Sequence, residues 1–100
     1  MGGTSKRGMK YRSRDGIINA ILVEIDRGRG NIRITEIMYR VFLSHYQLKK
    51  YITKLKLAGL VTDDNGRYRI TLKGIQLLHV YKQMEEVIPT INQPKIDDVY

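Results

Sequence analysis

One hundred residues suffice for a single domain with a modest core and leave no room for an elaborate enzyme. Eighteen Lys and Arg against ten Asp and Glu give a formal net charge of +8, which points to a polyanionic partner, nucleic acid before a membrane surface. The absence of Cys removes disulfides, thiolate catalysis and Cys-type zinc sites, and no stretch approaches the roughly twenty apolar residues of a membrane-spanning helix.

Residues 1–12 read as a flexible basic arm, rich in Gly, Ser, Lys and Arg with nothing to bury. Lys6, Arg7, Lys10, Arg12 and Arg14 all precede the first acid, Asp15. Such an arm suits a DNA backbone or minor groove and equally a solubilising tail. No apolar segment backs the charges, so the arm does not read as a secretory signal. Ser13 then caps a predicted helix over residues 14–27, with Ile17, Ile18, Ile21, Leu22 and Ile25 as its core stripe.

RGRGNIR breaks that helix with two glycines, and residues 32–34 suit a very short extended segment. Thr35 is expected to cap a second helix over residues 36–42, turning Ile37, Met38 and Val41 inward. A tight turn follows. The next stretch, SHYQLKKYITKLKLAG, has a start, a stop, an apolar face and a basic face. Ser44 with Gln47 three residues on forms a capping box, and Gly59 supplies the stop. At the helical period Leu48, Ile52 and Leu55 fall on one side, and Tyr46, Lys49, Lys50, Thr53 and Lys54 on the other. Two helices joined by three or four residues have the spacing of a helix-turn-helix, with residues 45–58 as the recognition helix.

A lysine-rich face is often no more than a solvated one, but solvated faces usually mix their signs. Between Glu36 and Asp63 there is no acid, whereas Arg40, Lys49, Lys50, Lys54 and Lys56 all lie there. The period then shortens to that of strands. Residues 60–62 and 67–70 flank Asp63-Asp64-Asn65-Gly66, and Asn-Gly is the strongest short-range hairpin signal. Such a hairpin after a helix-turn-helix is a wing. Arg67 and Arg69 share one face of its second strand, and the two aspartates near the tip argue against deep insertion of the tip beside phosphates.

Thr71 is expected to cap a last helix, residues 72–88, stopped by Pro89 and followed by a tail over residues 89–100. Leu72, Ile75 and Leu78 would lie on the domain itself. Leu77, Val80, Tyr81, Met84, Val87 and Ile88 form a second stripe at heptad-like spacing, suited to a two-fold dimer with another copy. The competing occupant of that stripe is the tail, folding back through Ile91, Ile96 and Val99.

The expected fold is mainly α with a small β-hairpin: a winged helix-turn-helix over residues 13–88 with a C-terminal dimerisation helix. RITEIMYRVFLSHYQLKKYITKLKLAGLV followed by GRYRITLKGIQLL resembles the ten-kilodalton, chromatin-associated winged-helix DNA-binding proteins of archaea known from Sulfolobales. The resemblance covers roughly residues 13–84, most distinctively Ile37-Met38-Tyr39, Leu43-Ser44, Tyr51 and residues 68–74. It implies a binder of double-stranded DNA that dimerises through its last helix and acts as a transcriptional regulator or architectural protein, cytoplasmic and nucleoid-associated. The long coiled coil of those relatives is expected to be cut short here by Pro89.

On this reading Tyr46, Gln47, Lys50 and Thr53 face base edges, with Ser44 and His45 at the helix start. Arg40, Lys49, Lys54, Arg67 and Arg69 position phosphates. The alternative is a protein-interaction winged helix in a transcription or replication complex, whose basic face meets an acidic partner. An enzyme is not expected. His45 and His79 lie on different helices without a carboxylate or second His at ligand spacing, and no metal or cofactor is expected.

Overall fold

The structure, a computed structural model, describes the backbone of residues 13–92 and the side chains of residues 13–84. The arm expected at residues 1–12 and the tail from residue 93 lie outside the described residues. The chain runs α1 (Arg14–Arg27), β1 (Ile32–Arg33), α2 (Ile34–Val41), α3 (His45–Leu57), β2 (Val61–Asp64), β3 (Arg67–Ile70) and α4 (Leu72–Asn92). The result is mainly helical, with a three-stranded antiparallel sheet in the order β1-β3-β2.

Local chemistry accounts for most of these boundaries. Ser13 caps α1 by accepting from the Gly16 N–H at 3.0 Å, as the sequence predicts. Helix α2 starts two residues earlier than expected, and its cap is Arg33 rather than Thr35. The Arg33 N–H donates to Glu36 Oε1 at 3.1 Å, so a glutamate reaching back from the first turn replaces the hydroxyl cap. At α3 the predicted box is formed: the Gln47 N–H donates to Ser44 Oγ, and the Ser44 N–H donates to Gln47 Oε1, both at 3.1 Å. Its stop is Gly59, in the left-handed region at φ +78.

The wing closes on Asn65 and Gly66, with Asp64 paired to Arg67 across a two-residue turn. Both turn residues have positive φ, 54 and 86, which is the type I′ geometry that matches strand twist and that Asn-Gly tolerates. Asp63 and Asp64 are therefore strand residues, one step back from the tip. Asp63 braces the turn by accepting from the Gly66 N–H at 2.8 Å. Strand β1 lies along the other edge of β3, pairing Ile32 with Tyr68 and Arg33 with Arg67.

Among the described residues one core binds all seven elements. It comprises Ile21, Leu22 and Ile25 of α1, Ile32 of β1, Ile37 and Val41 of α2, Leu48, Ile52 and Leu55 of α3, and Leu60, Val61 and Tyr68 around the wing. At about 25 cal/mol for each Å² of apolar surface, a buried leucine or isoleucine contributes roughly 1.5–3 kcal/mol, so this set dominates stability.

Helix α4 departs from expectation twice. Its inward residues are Gly74, Leu77, Leu78 and Tyr81, whereas Leu72 is 71% exposed and Ile75 is at the surface. The cause is Gly74: a Cβ there would collide with the Leu60 carbonyl and with Ile70 Cγ1, so the helix meets the wing through its one side-chain-free position. That contact rotates Leu72 and Ile75 outward. The helix also does not stop at Pro89 but continues to Asn92. Proline's fixed φ is itself helical, and what is lost is one N–H bond to the preceding turn, a cost a helix of 21 residues carries without ending.

Candidate nucleic-acid interface

Helix α3 presents one side to the core and the other to solvent. Leu48, Ile52 and Leu55 are buried, Tyr51 is half-buried, and His45, Tyr46, Lys49, Lys50, Thr53 and Lys54 are exposed, as the helical projection requires. Leu57 continues that outer face with an apolar side chain, which the sequence reading did not include. The Lys50 Nζ lies 5.2 Å from the centre of the Tyr46 ring, a cation–π approach that orders both side chains on the outer face.

Capping changes what two of the expected base readers can do. Gln47 Oε1 accepts from both the N–H and the Oγ of Ser44, so only its amide NH₂ is left to reach outward. Bidentate recognition of adenine uses both ends of a glutamine, and here it would break the cap. Ser44 is a helix cap in every one of its hydroxyl contacts. The Thr53 hydroxyl donates to the Lys49 carbonyl at 2.9 Å, leaving its lone pairs and its methyl group to face a ligand.

The fold also sorts the cations. Arg40 Nη1 lies 3.4 Å from Glu24 Oε1 on α1, and Lys56 Nζ lies 3.6 Å from Asp63 Oδ2 on the wing. These two charges are partly offset by acids that the sequence places outside the acid-free interval. Lys49, Lys50 and Lys54 form no ion pair among the described residues. Beside them lies Arg14, which joins Gln47, Lys50, Tyr51 and Lys54 in lining a cleft of about 240 Å³ between the start of α1 and α3. A cation in the first turn of a helix opposes the helix dipole, so Arg14 gains nothing locally from its position. The sequence places Arg14 at the start of α1, in the run of cations before Asp15, but not among the DNA-facing residues; no periodicity in the chain announces that α1 begins against α3.

The two wing arginines diverge. Arg67 is flanked by Arg33 on β1 and Asp64 on β2, and Arg33 Nη1 lies 3.5 Å from the site of a Cβ on Gly66, close to the turn. Arginines directly opposite on a sheet repel, with Asp64 offsetting one of them. Arg69, two residues on, folds its guanidinium over Gly30 and lines a cleft of about 660 Å³ with Asp26, Arg27 and Arg29. The second cleft sits at the far end of α1, about 20 Å from Arg14 at 1.5 Å per residue. Arg33 is the wing cation that the sequence reading missed; a two-residue strand is too short to show which way it faces.

A small helix-turn-helix followed by a strand hairpin, with a basic face on its second helix that forms no ion pair through Lys49, Lys50 or Lys54 among the described residues, has the element order of a winged helix-turn-helix. A winged helix-turn-helix model matches residues 11–89. The chain belongs to the winged helix-turn-helix family. This family is typically DNA-binding and non-catalytic, and membership carries the fold class and suggests DNA binding. A comparison with curated proteins finds no match. Among the described residues no group of three or more His, Asp or Glu is placed to hold a metal ion, and no helix is long and apolar enough to cross a membrane.

Of the expected dimer residues, Leu77 packs on the core and Tyr81 turns toward α1, its hydroxyl donating to Asp15 Oδ1 at 3.4 Å. Both belong to the intramolecular face of α4, a correction that follows from the rotation at Gly74. Val80 and Met84 remain outward, 48% and 42% exposed. The side chains of Val87 and Ile88 lie outside the described residues.

Proposed function

We propose that this protein binds double-stranded DNA by seating α3 in the major groove, as a transcriptional regulator or chromatin-type architectural protein. One observation carries the reading: Lys49, Lys50 and Lys54 project from the exposed side of α3 without an ion-pair partner among the described residues, and Arg14 extends the same surface. Holding like charges together in the free protein is unfavourable, and phosphates relieve it by releasing counterions. Lys50 and Tyr46 stand near the middle of the outer face, where base edges would lie, with Lys49, Lys54 and Arg14 directed at phosphates on either side. His45 opens α3, and Thr53 offers an acceptor and a methyl group. Arg33 and Arg67 at the wing turn would follow a neighbouring strand of the backbone.

A second copy completes this reading. Val80 and Met84, one helical turn apart and both exposed on α4, support a two-fold dimer that presents two α3 helices to one duplex.

The test is fluorescence-anisotropy binding of a random-sequence duplex across a salt series, comparing native protein with the triple variant Lys49→Ala, Lys50→Ala, Lys54→Ala. The expected result is a steep dependence of affinity on salt, made shallower by about two to three units in the variant, since each phosphate contact contributes about 0.9. Equal binding by both proteins would remove α3 from the interface, and no binding even at low salt would favour an acidic protein partner.

A further inference from the structure

Helix α2 ends on Phe42, whose backbone lies in the left-handed region at φ 59 and ψ 45. The turn requires that conformation: the Phe42 N–H donates to the Met38 carbonyl at 3.0 Å, and the Leu43 N–H reaches the same oxygen at 3.4 Å. Glycine or asparagine adopts it readily, whereas a bulky side chain is strained there. Packing gives no compensation, because the Phe42 ring is 67% exposed while its neighbour Leu43 packs against the core. Neither backbone preference nor the core explains a phenylalanine at this position.

Two more exposed rings lie within four residues of it in sequence. Tyr39, one turn earlier on α2, is 75% exposed, and Tyr46, in the first turn of α3, is 72% exposed. Three of the large exposed apolar side chains thus fall within eight residues of the helix-turn-helix, interleaved with Arg40 and followed by Lys49 and Lys50. Aromatic faces alternating with cations are the composition of surfaces that hold unstacked bases, since every base has a π-face and every nucleotide a phosphate. Arg40 already meets Glu24, but a second copy or an apolar peptide would satisfy the rings and leave Lys49 and Lys50 facing no acid; a DNA strand satisfies both.

We propose that Tyr39, Phe42 and Tyr46 form a stacking platform for unpaired bases, so that this protein favours DNA with a locally opened helix over a fully paired duplex. The inference rests on the reading that the α2–α3 face meets DNA, and adds to it the state of the DNA that is preferred. Strain at Phe42 is the local cost of holding an apolar ring out at the edge of the groove, where it can take the place of a neighbouring base in the stack.

The experiment measures anisotropy binding to a matched duplex, the same duplex with a short central run of unpaired thymines, and the isolated strand. It compares native protein with Phe42→Asn, which keeps the left-handed turn, and with Tyr39→Gln on an exposed helical position. Native protein is expected to bind the opened duplex about tenfold more tightly than the matched one, a single stacked base being enough for that ratio. Both variants should lose most of this preference while binding matched duplex within about twofold of native, and Phe42→Asn should melt several degrees higher as the turn relaxes. An opened duplex bound no better than the matched one, or a preference unchanged in both variants, overturns the platform. A loss of self-association in sedimentation velocity with the DNA preference intact would assign the rings to a second copy instead. Failure to bind any of the three probes would overturn the DNA reading itself, a different result from binding matched and opened duplexes equally.

Discussion

Helices α3 and α4 each bury one face on the same core and leave another uncovered, and the uncovered faces differ in kind. That of α3 carries Lys49, Lys50 and Lys54 around Tyr46 and Thr53; on α4 the exposed apolar side chains Leu72, Ile75, Val80 and Met84 are spread around the helix on either side of its packed stripe. A cationic face gains free energy from a polyanion and little from another protein copy, while an apolar face gains it by leaving water. The buried faces differ as well. Helix α3 fills the core with branched side chains, whereas α4 approaches the wing through Gly74 and, among the described residues, packs Leu77 and Leu78 on the core without fully burying them.

That contrast can be broken from its strongest side first. Leu48→Ala, at a fully buried site on α3, should cost about 2–5 kcal/mol in chemical denaturation. Ile75→Ala on the outward side of α4 should cost well under that, and equal losses would mean that the two helices share the core evenly. Gly74→Ala comes next: the added methyl meets backbone, and about 1–3 kcal/mol of stability should be lost even though alanine is the better helix former. A stabilised Gly74→Ala protein would show that α4 does not dock as closely as described.

A smaller effect separates the faces by pH. Burial, and then the charge of Asp63, raises the Tyr68 phenol above its usual value near 10. Burial acts likewise on Tyr81, followed by the charge of Asp15 and its hydrogen bond. Both phenols are held protonated more firmly in the folded protein than in the unfolded one. Their contribution is fully present below about pH 10 and declines as pH rises through the raised folded values. Tyr68→Phe should flatten that alkaline decline of the melting temperature; an unchanged profile would place the cause elsewhere. Least costly of all to the monomer fold, Val80→Glu with Met84→Glu should change monomer stability by no more than about 0.5 kcal/mol. The same double variant should lower the solution mass to that of one chain, and an unchanged larger mass would locate self-association off this face.

The features legible in the chain are those set within a few residues. Ser13, the Ser44–Gln47 box and Asn65-Gly66 each fix a boundary by local hydrogen bonding or backbone preference, and the two long helices before the wing begin where these residues put them. What escaped required knowledge of the opposite side. The face of α4 turns on the Leu60 carbonyl beneath Gly74, and the charge of Arg40 is met by Glu24, 16 residues away in sequence. Arg14 joins α3 only because α1 starts against it. Pro89 misled for a different reason, since a proline lowers helix stability without dictating where the helix ends.

The Thr71 hydroxyl lies 2.7 Å from the Gly59 carbonyl and 3.0 Å from that of Leu60, and accepts from the Gly74 N–H at 3.1 Å. Lys73 Nζ adds a bond to the Ala58 carbonyl at 2.8 Å. The end of α3, the root of the wing and the start of α4 are thus clasped at one point, with no hinge among them. Helix α4 extends from this clasp by about 30 Å at 1.5 Å per residue. The placing of α4 relative to α3 is therefore set by four contacts gathered within residues 58–60 and 71–74, not by packing spread along the helix.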